Sequence, residues 1–580
     1  MLAPTPTASG LSRYRPADFA TLPQALDYAA LGETGINFYS GKGQLLEALS
    51  YRELRVQALE LAAALLAHGL VPGERVALIA ETDGDFARAF FACQYAGLVP
   101  TALPLPAAFG GREAYVAHIR RMIEIADTAA AVAPTALAEW LNEACAGLDL
   151  KAVGTLAMFR RGSATTPPAL PTVGPDDFCY LQFSSGSTRF PLGVAVTQKA
   201  LLANVRGIAR DGLKIGPEDR CVSWLPMYHD MGLVGFLLTP LVCQISVDMF
   251  ATRDFARRPL LWLDLITRNG GTLSYSPTFG YELAARRAET APMDGLDLSR
   301  WRAAGIGGDM VRPEPLEKFA ARFACRGFEA SAFVPSYGMA EAALALSFAP
   351  LGQGIRYDTL DTDRLERDHL AVPARHGAAR TRDFVLCGPA LPHHRFEVRA
   401  EGGEVLEPGR VGRIFACGPS LMHSYFGEPE ATQEVLSEDG WLDTGDLGYF
   451  SDGQIVVTGR AKDLIIVNGR NIWPQDLEWT VEREIAALRS GDVAAVSVDR
   501  GGAERIVVLV EYRAPDDSAR DHLCKEVAGV LRLRHGVDTD VVTVPPRALP
   551  RTSSGKLSRT KAKALYLQGS FAAVAVATAS

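Results

Sequence analysis

The feature that most constrains the fold is an alternation of helical and strand patterns in the N-terminal part of the chain. Ser50 and Glu53 form a capping-box signature, and apolar residues then recur at helical spacing. The runs 75–80 and 99–103 read as buried strands, and the stretch 85–96 between them is predicted to be helical. Parallel strands connected by helices produce this order, so we predict an α/β fold with mostly parallel sheets covered by helices.

Length and composition indicate a soluble protein with more than one domain. The chain has 580 residues, 48% of them hydrophobic and 22% charged. Its net charge of -8 argues against non-specific nucleic-acid binding, which requires a basic surface. The most apolar run, 235–250, is interrupted by polar residues and is shorter than the ~20 residues that span a membrane. We therefore expect it to be core or pocket wall, and we expect no stable membrane insertion.

The cysteines and the N-terminus bear on the compartment. The nine cysteines are scattered and contain no Cys-x-x-Cys pair, so neither a zinc site nor a disulfide framework is indicated. The N-terminus lacks the apolar stretch of a signal peptide. These features favour a cytoplasmic protein with reduced thiols.

Changes of pattern along the chain predict its organisation. Residues 110–172 are expected to be helix-rich connecting structure, and 357–381 are polar and poorly periodic, like an insertion. Residues 384–452 carry short strands and turns, which predicts a small β-rich part. We assign residues 1–459 to a large N-terminal domain. Residues 460–580 are assigned to a small, mobile α+β domain, with strands at 493–498, 505–512 and 541–544 and a helix at 519–535.

The strongest local signal for chemistry follows the predicted strand 178–183. The chain passes from this strand into a Ser/Gly/Thr loop, which could wrap N–H groups and hydroxyls around a polyphosphate. The alternative is a surface turn. The loop is not a Walker A sequence, because no Gly-Lys-Ser/Thr follows at the required spacing.

This loop resembles the phosphate-binding motif of the adenylate-forming superfamily, which includes acyl-CoA synthetases, luciferases and peptide-synthetase adenylation domains. Further segments resemble the other motifs of that superfamily and occur in the right order: Trp224–Gly232 (WLPMYHDMG), Ser336–Glu341 (SYGMAE), Thr444–Asp446 (TGD), Gly459–Asp463 (GRAKD) and Pro550–Lys556 (PRTSSGK). Six motifs in order leave little room for chance.

The resemblance implies an ATP-dependent enzyme that joins a carboxylate to AMP, with Mg²⁺ as cofactor. It implies Lys556, Glu341 and His229 as catalytic residues, Glu341 and Thr188 at the magnesium ion, and Lys462 as the hinge between domains. His229 either gates the acyl pocket or is a packed histidine. The implied nucleotide-binding residues are Ser184, Ser185, Gly186, Ser187, Thr188, Gly307, Gly308, Asp309, Tyr337, Gly338, Met339, Ala340, Asp446 and Arg460.

Several details resemble the fatty acyl-AMP ligase branch of the superfamily. CoA ligases usually have Lys where Leu192 stands, and 469–478 and the position of 357–381 also fit that branch. In that branch the insertion restrains the small domain, and the acyl group passes to the phosphopantetheine thiol of an acyl carrier protein. The alternatives are a fatty acyl-CoA synthetase and, from another class, an inactive lipid-binding homologue.

The resemblance also implies the partners. The acyl group should be a fatty acid, in an apolar pocket near Tyr228, Met231 and Gly232. No carrier domain is recognised after the C-terminal unit, so a carrier protein is expected to act in trans. Arg532, Arg534 and His535 are the hypothetical basic patch for it.

Overall fold

The computed structural model describes residues 14–571 except 107–110, 162–168, 185–190, 379, 468–469, 501–502 and 553–555. Its strands are β1 Gly35–Tyr39, β2 Leu45–Ser50, β3 Arg75–Ile79, β4 Val99–Leu103, β5 Thr128–Val132, β6 Ala152–Gly154, β7 Phe178–Phe183, β8 Gly193–Thr197, β9 Arg220–Ser223, β10 Ser246–Phe250, β11 Leu273–Ser276, β12 Ala303–Ile306, β13 Phe333–Gly338, β14 Ala345–Phe348, β15 Tyr357–Asp361, β16 Thr381–Val385, β17 Arg395–Arg399, β18 Gly412–Cys417, β19 Ser424–Tyr425, β20 Leu442–Ser451, β21 Gln454–Arg460, β22 Ile465–Val467, β23 Arg470–Ile472, β24 Val493–Arg500, β25 Ala503–Glu511 and β26 Thr539–Val544.

The α-helices connect and cover these strands. They are α1 Leu22–Ala29, α2 Tyr51–Ala67, α3 Gly84–Tyr95, α4 Gly111–Ile125, α5 Ala138–Cys145, α6 Leu156–Arg161, α7 Gln198–Arg206, α8 Asp230–Gly232, α9 Thr239–Val242, α10 Thr252–Arg257, α11 Leu260–Asn269, α12 Thr278–Ala288, α13 Pro313–Phe323, α14 Thr362–Asp368, α15 Pro429–Val435, α16 Pro474–Glu484, α17 Asp517–His535 and α18 Arg559–Leu567.

Two large sheets form the body of the protein and confirm the predicted α/β class. One has the strand order β19-β8-β7-β4-β3-β5-β6, and the other β14-β13-β12-β11-β9-β10-β1-β2. Their inner strands are parallel, while β2, β8, β14 and β19 add antiparallel edges. The capping box is also confirmed, because the Ser50 hydroxyl accepts from the N–H of Glu53, whose carboxylate accepts from the N–H of Ser50, both at 3.1 Å.

Two predictions about local structure were incomplete. Residues 110–172 contain β5 and β6, which extend the first sheet, as well as helices. Residues 357–381 hold β15, which pairs with β16, and the helix α14, whose first N–H groups are capped by Asp361. Only Thr362, Leu365 and Glu366 of α14 are buried, so its sequence carries no clear helical period.

The residues after the second large sheet form smaller units. An antiparallel sheet with the order β17-β18-β20-β21 is the predicted β-rich part. From Ile465 onward the chain builds β24-β25-β26 with α16, α17 and α18, around apolar cores made of its own residues. The strands and helix predicted there are present, whereas α16 was not predicted. Within the described ranges, no helix is long and apolar enough to cross a membrane.

Candidate active site

One cavity of about 410 Å³ lies between the large sheets and the C-terminal unit. Its floor is built where strands end: β7 leads to Ser184, β12 to Gly307 and Gly308, and β13 to Tyr337 and Gly338. Side chains displayed at the carboxyl ends of parallel strands form the binding crevice of open α/β sheets. Lys556 enters the same cavity from the C-terminal unit.

The two ends of the predicted phosphate loop are pinned beside this cavity. The N–H of Ser184 donates to the Leu192 carbonyl at 2.9 Å, and the Leu192 N–H donates to the Ser184 hydroxyl at 3.3 Å. The loop itself, with Ser185, Gly186, Ser187 and Thr188, lies outside the described residues. Their assignment to the polyphosphate therefore stays a prediction.

Glu341 provides a buried carboxylate that is only partly used by the protein. Its side chain lies in a short turn after β13, the residue is 8% exposed, and Oε1 accepts from the Tyr425 hydroxyl at 2.8 Å. Burial raises the pKa of Glu341, and the Tyr425 hydrogen bond opposes that rise. A single carboxylate beside a polyphosphate is a donor set that Mg²⁺ accepts, because this ion completes its shell with phosphate oxygens and water. Glu341 therefore fits the predicted metal role.

Tyr337, Asp446 and Arg460 form a connected polar wall. The Tyr337 hydroxyl donates to Oδ2 of Asp446 at 2.8 Å, and Nε of Arg460 lies 3.6 Å from Oδ1. Burial raises the pKa of Asp446, while Arg460 and the Tyr337 hydrogen bond oppose the rise. The Asp446 carboxylate, held in this way, can accept hydrogen bonds from sugar hydroxyls. This agrees with the ribose-binding role predicted for it.

Lys556 lies in a loop whose ends are joined. Its N–H donates to the Thr552 hydroxyl at 3.2 Å, and the Thr552 N–H donates to its carbonyl at 2.8 Å. Burial lowers the pKa of Lys556, and the carboxylates of Asp309, Asp230 and Asp446 oppose that change. Lys556 and these three acids all line the same cavity, so a bound substrate would share it with this cation and these three carboxylates.

His229 and Asp230 form a close pair at the cavity wall. His229 Nδ1 lies 2.5 Å from Oδ1 of Asp230, and that oxygen also accepts from the Met231 N–H at 2.7 Å. Burial would raise the pKa of Asp230, but the charge and hydrogen bond of His229, together with Lys556, hold it below its usual value. His229 lines the cavity and also caps α8, so it is both a packed and a cavity-facing residue.

Apolar residues form part of the cavity wall, which we call the apolar branch. Met231 lines the cavity, and a π-helical turn at 233–238 follows it, a local feature that is frequent at functional sites. Tyr275 lies directly over Gly305, where an added Cβ would be 1.9 Å from Cζ of the ring. The branch is lined by Ile208, Leu213, Ile215, Gly235, Phe236, Tyr275 and Phe348.

The remaining predicted residues divide into two groups. Gly307, Gly308, Asp309, Gly338, Met339, Ala340 and Lys462 all line the cavity. Among the described residues, Tyr228 and Gly232 are not part of this lining, and their assignment to the substrate pocket stays a prediction. The Tyr228 carbonyl accepts from Gln182, and Gly232 packs where an added Cβ would lie 2.0 Å from the Pro226 carbonyl oxygen.

Three further residues belong to this site and were not predicted. Asp230 pairs with His229, Tyr425 holds Glu341, and Arg559 lines the cavity beside Lys556. Only Asp230 and Arg559 had a local signal, since each is close in sequence to a predicted residue. Tyr425 lies 84 positions from Glu341, so no spacing could have indicated it.

A second group of charges, the Glu366 cluster, lies between the segment 357–381 and the C-terminal unit. It consists of Glu366, Arg380 and Arg470. The Glu366 side chain is 0% exposed, and its carboxylate accepts from Arg380 at 2.5 Å and from Arg470 at 2.6 Å. Nearby, Arg382 pairs with the buried Asp476 at 2.6 Å. These contacts bind β23 and α16 of the C-terminal unit to residues before it in the chain.

The hypothetical basic patch is not a free cationic surface. Arg532 pairs with Asp538 at 2.7 Å, and Arg534 with Glu484 at 3.1 Å. His535 is partly buried against Thr480, and burial together with neighbouring arginines lowers its pKa to about 4. The lowered pKa argues against a charged His535, and the role of the patch in carrier docking stays a prediction.

Comparisons with known proteins agree with this geometry. The AMP-binding enzyme family model matches residues 36–426, and the chain belongs to that family. A putative acyl-CoA synthetase of Caulobacter vibrioides is 57% identical over 98% of both chains. The medium-chain-fatty-acid–[acyl-carrier-protein] ligase JamA of Moorena producens is 32% identical, over 95% of this chain and 96% of JamA.

Comparison with solved structures indicates the class of enzyme within this family. A solved structure from work on the fatty acyl-adenylate ligases of E. coli and L. pneumophila is 44% identical. It has a TM-score of 0.91 and covers 97% of this chain and 100% of that chain. This protein is a fatty-acid adenylating ligase, and ATP is the co-substrate that its family implies.

Proposed function

We propose that the protein is a fatty acyl-AMP ligase that hands its product to the phosphopantetheine thiol of an acyl carrier protein. In the first step a carboxylate oxygen of the fatty acid bonds to the α-phosphorus of ATP, and the bond to the bridging oxygen of pyrophosphate breaks. In the second step the thiol sulfur bonds to the acyl carbon, the thiol proton leaves and AMP is released. The acid is held in the apolar branch and the nucleotide against Tyr337 and Asp446.

The first step requires charge neutralisation and alignment rather than a covalent partner from the protein. Lys556 lines the cavity together with Asp230 and Asp446, and from this cavity its ammonium group would stabilise negative charge that grows on the α-phosphate. Glu341 is the residue that would hold Mg²⁺. When bound, that ion would neutralise phosphate charge. We propose Lys462 as the hinge and residues 1–459 and 460–580 as the two domains.

The Glu366 cluster is the observation that supports a carrier protein, rather than CoA, as the acyl acceptor. Glu366 pairs with Arg380 inside the segment 357–381, and its second pair joins that segment to Arg470, just after the proposed hinge. Breaking such pairs leaves buried charges without partners, which is costly. A carrier protein brings a protein–protein interface whose binding energy could offset this cost, whereas CoA offers fewer contacts. The cluster therefore favours a carrier protein over free CoA.

A fatty acyl-CoA synthetase is the second candidate, and the name of the Caulobacter vibrioides relative favours it. Both candidates share the first step and differ only in the acceptor. A lipid-binding homologue without activity would not release pyrophosphate at all.

One incubation tests the proposal. The protein is mixed with ATP, Mg²⁺ and a fatty acid, and products are identified by mass spectrometry alone, with CoA and with a holo acyl carrier protein. We expect acyl-AMP that persists in the presence of CoA and is consumed when the carrier is added. Efficient acyl-CoA formation would support the second candidate, and absence of pyrophosphate release would overturn both.

A further inference from the structure

The direction of the Lys556 side chain depends on how the base of its loop is held. Residues Arg551 and Leu557 form a β-bridge, and the Ser558 N–H donates to the Pro550 carbonyl at 2.9 Å. The helix α18 then begins at Arg559, three positions after Lys556. Whatever fixes the first turn of α18 therefore also fixes the base of the lysine loop.

Arg559 is fixed by a three-part ion pair. Its Nε and Nη2 donate to the two carboxylate oxygens of Glu478 at 2.8 and 2.6 Å, and its Nη1 donates to Asp463 at 2.9 Å. All three side chains are at least four-fifths buried. Burial lowers the pKa of Arg559, but these acids more than compensate and raise it above its ordinary value. A two-pronged guanidinium–carboxylate contact sets orientation as well as distance.

The two acids connect Arg559 to different parts of the small unit. Glu478 lies in α16 and also accepts from the Ala495 N–H of β24 at 2.9 Å. Asp463 ends the short turn 461–463, directly after Lys462. On the other side of that turn, Arg460 lies 3.6 Å from Asp446 of β20. Ion pairs therefore bracket the proposed hinge on both sides.

We infer that Arg559 is a positioning residue for adenylation, which holds Lys556 in a fixed relation to the hinge and restricts the pivot to Ala461 and Lys462. The inference rests on the proposed role of Lys556 but not on the identity of the acyl acceptor. When the base of the lysine loop is fixed, the Lys556 ammonium group is already oriented toward the α-phosphate at each turnover. A loosened base would misplace it, and small errors in position are expensive in catalysis.

The competing explanation is that the ion pairs only stabilise the small unit. A double-mutant cycle separates the two, since residues that act as a unit give non-additive effects. The variants are Lys556→Ala, Arg559→Gln and the double variant, each in the full chain. The readout is fatty-acid-dependent exchange of pyrophosphate into ATP, which reports the first step alone.

We expect Arg559→Gln to lower kcat of exchange about 10- to 100-fold with little change in KM for ATP. In the double variant the exchange rate should equal that of Lys556→Ala. Arg559→Lys keeps the positive charge but loses the bidentate contact with Glu478. Its exchange rate should therefore lie between those of the wild type and Arg559→Gln. Arg532→Gln, which removes an exposed arginine of the same unit, serves as the matched control and should exchange like wild type.

Each outcome has a separate meaning. Effects of Lys556→Ala and Arg559→Gln that multiply would overturn the positioning role, as would an Arg559→Gln change confined to KM. If Arg559→Gln lowers the unfolding temperature of the protein, Arg559→Lys and Asp463→Asn replace it in the double-mutant cycle with Lys556→Ala. Wild-type protein without exchange, or Lys556→Ala with full exchange, would instead refute the proposed function or the proposed role of Lys556.

Discussion

The cavity and the Glu366 cluster use the same kinds of side chain for opposite purposes. In the cluster the buried carboxylate is saturated, because Arg380 and Arg470 occupy both oxygens of Glu366. In the cavity the Glu341 carboxylate accepts a hydrogen bond from the neutral Tyr425 hydroxyl and has no ion pair among the described residues. Lys556 lines the same cavity as Asp230, Asp309 and Asp446. Saturated charges hold parts of a protein together, whereas partly satisfied charges remain available to a ligand.

This difference predicts different responses to mutation. Removal of a cavity charge should lower the reaction rate but change the free energy of unfolding little, because few protein contacts are lost. Removal of the Glu366 charge should weaken docking of the small unit, because Arg470 loses its carboxylate partner while Arg380 keeps its pair with Asp363. Three variants test the comparison, from the largest expected effect to the smallest.

Lys556→Ala should reduce acyl-AMP formation about 100- to 1000-fold, the usual loss when one preorganised electrostatic group is removed from a transition state. The measurement is fatty-acid-dependent pyrophosphate release, alongside a thermal unfolding scan that should not change. Lys199→Ala is the control, since this lysine is exposed and pairs with the exposed Asp176. A large fall in unfolding temperature would place Lys556 with the structural charges instead.

Glu366→Ala should weaken docking of the small unit by about 3 kcal/mol, the lower range for breaking a buried ion pair. Amide hydrogen exchange should accelerate in β22 and β23, and acyl-CoA formation should increase because the unit rotates more freely. Asp452→Ala is the matched control, because its ion pair with Arg356 is mostly exposed. Unchanged exchange in both strands would show that the cluster does not hold the unit.

Tyr425→Phe should have the smallest effect. It removes one neutral donor to the Glu341 carboxylate, a hydrogen bond that contributes about 1 kcal/mol. The hydroxyl lowers the pKa of Glu341, so its removal raises that pKa further. Since Mg²⁺ requires the carboxylate, activity is lost as pH falls through this pKa, and the acid limb of the pH–rate profile should move to higher pH. Tyr281→Phe, which loses a buried hydroxyl bonded to the Gly305 carbonyl, should leave the limb in place. An unmoved limb in Tyr425→Phe would contradict the assignment.

The parts of the fold that were predictable are those with strong local patterns. The strands at 75–79 and 99–103 and the capping box were visible because apolar periodicity and capping residues mark them. The strand β5 was missed, because its sequence TAAAV is rich in alanine and only burial between neighbouring strands decides its conformation. The helix α14 was missed because a short helix with so few buried residues has no readable period.

The candidate site shows the same division. Motifs indicated Lys556, Glu341 and Asp446, because each motif carries its chemistry within a few residues. The partners that adjust those groups, such as Tyr425, come from distant strands that meet only in the folded sheet. Tyr228 and Gly232 lie outside the cavity lining, because a motif identifies a segment but not which of its residues face the cavity.

The distribution of thiols makes the protein suited to labelling. Cys325 is exposed, directly after α13, and Cys524 on α17 is partly exposed, whereas Cys93, Cys179, Cys221 and Cys243 are buried. Burial raises the pKa of these buried thiols and keeps them in the unreactive protonated form. A maleimide dye should therefore attach to Cys325 first, and the partly exposed Cys417 and Cys524 should follow. With Cys417 replaced by serine, a donor–acceptor pair at Cys325 and Cys524 would turn rotation of the small unit into an optical signal during turnover.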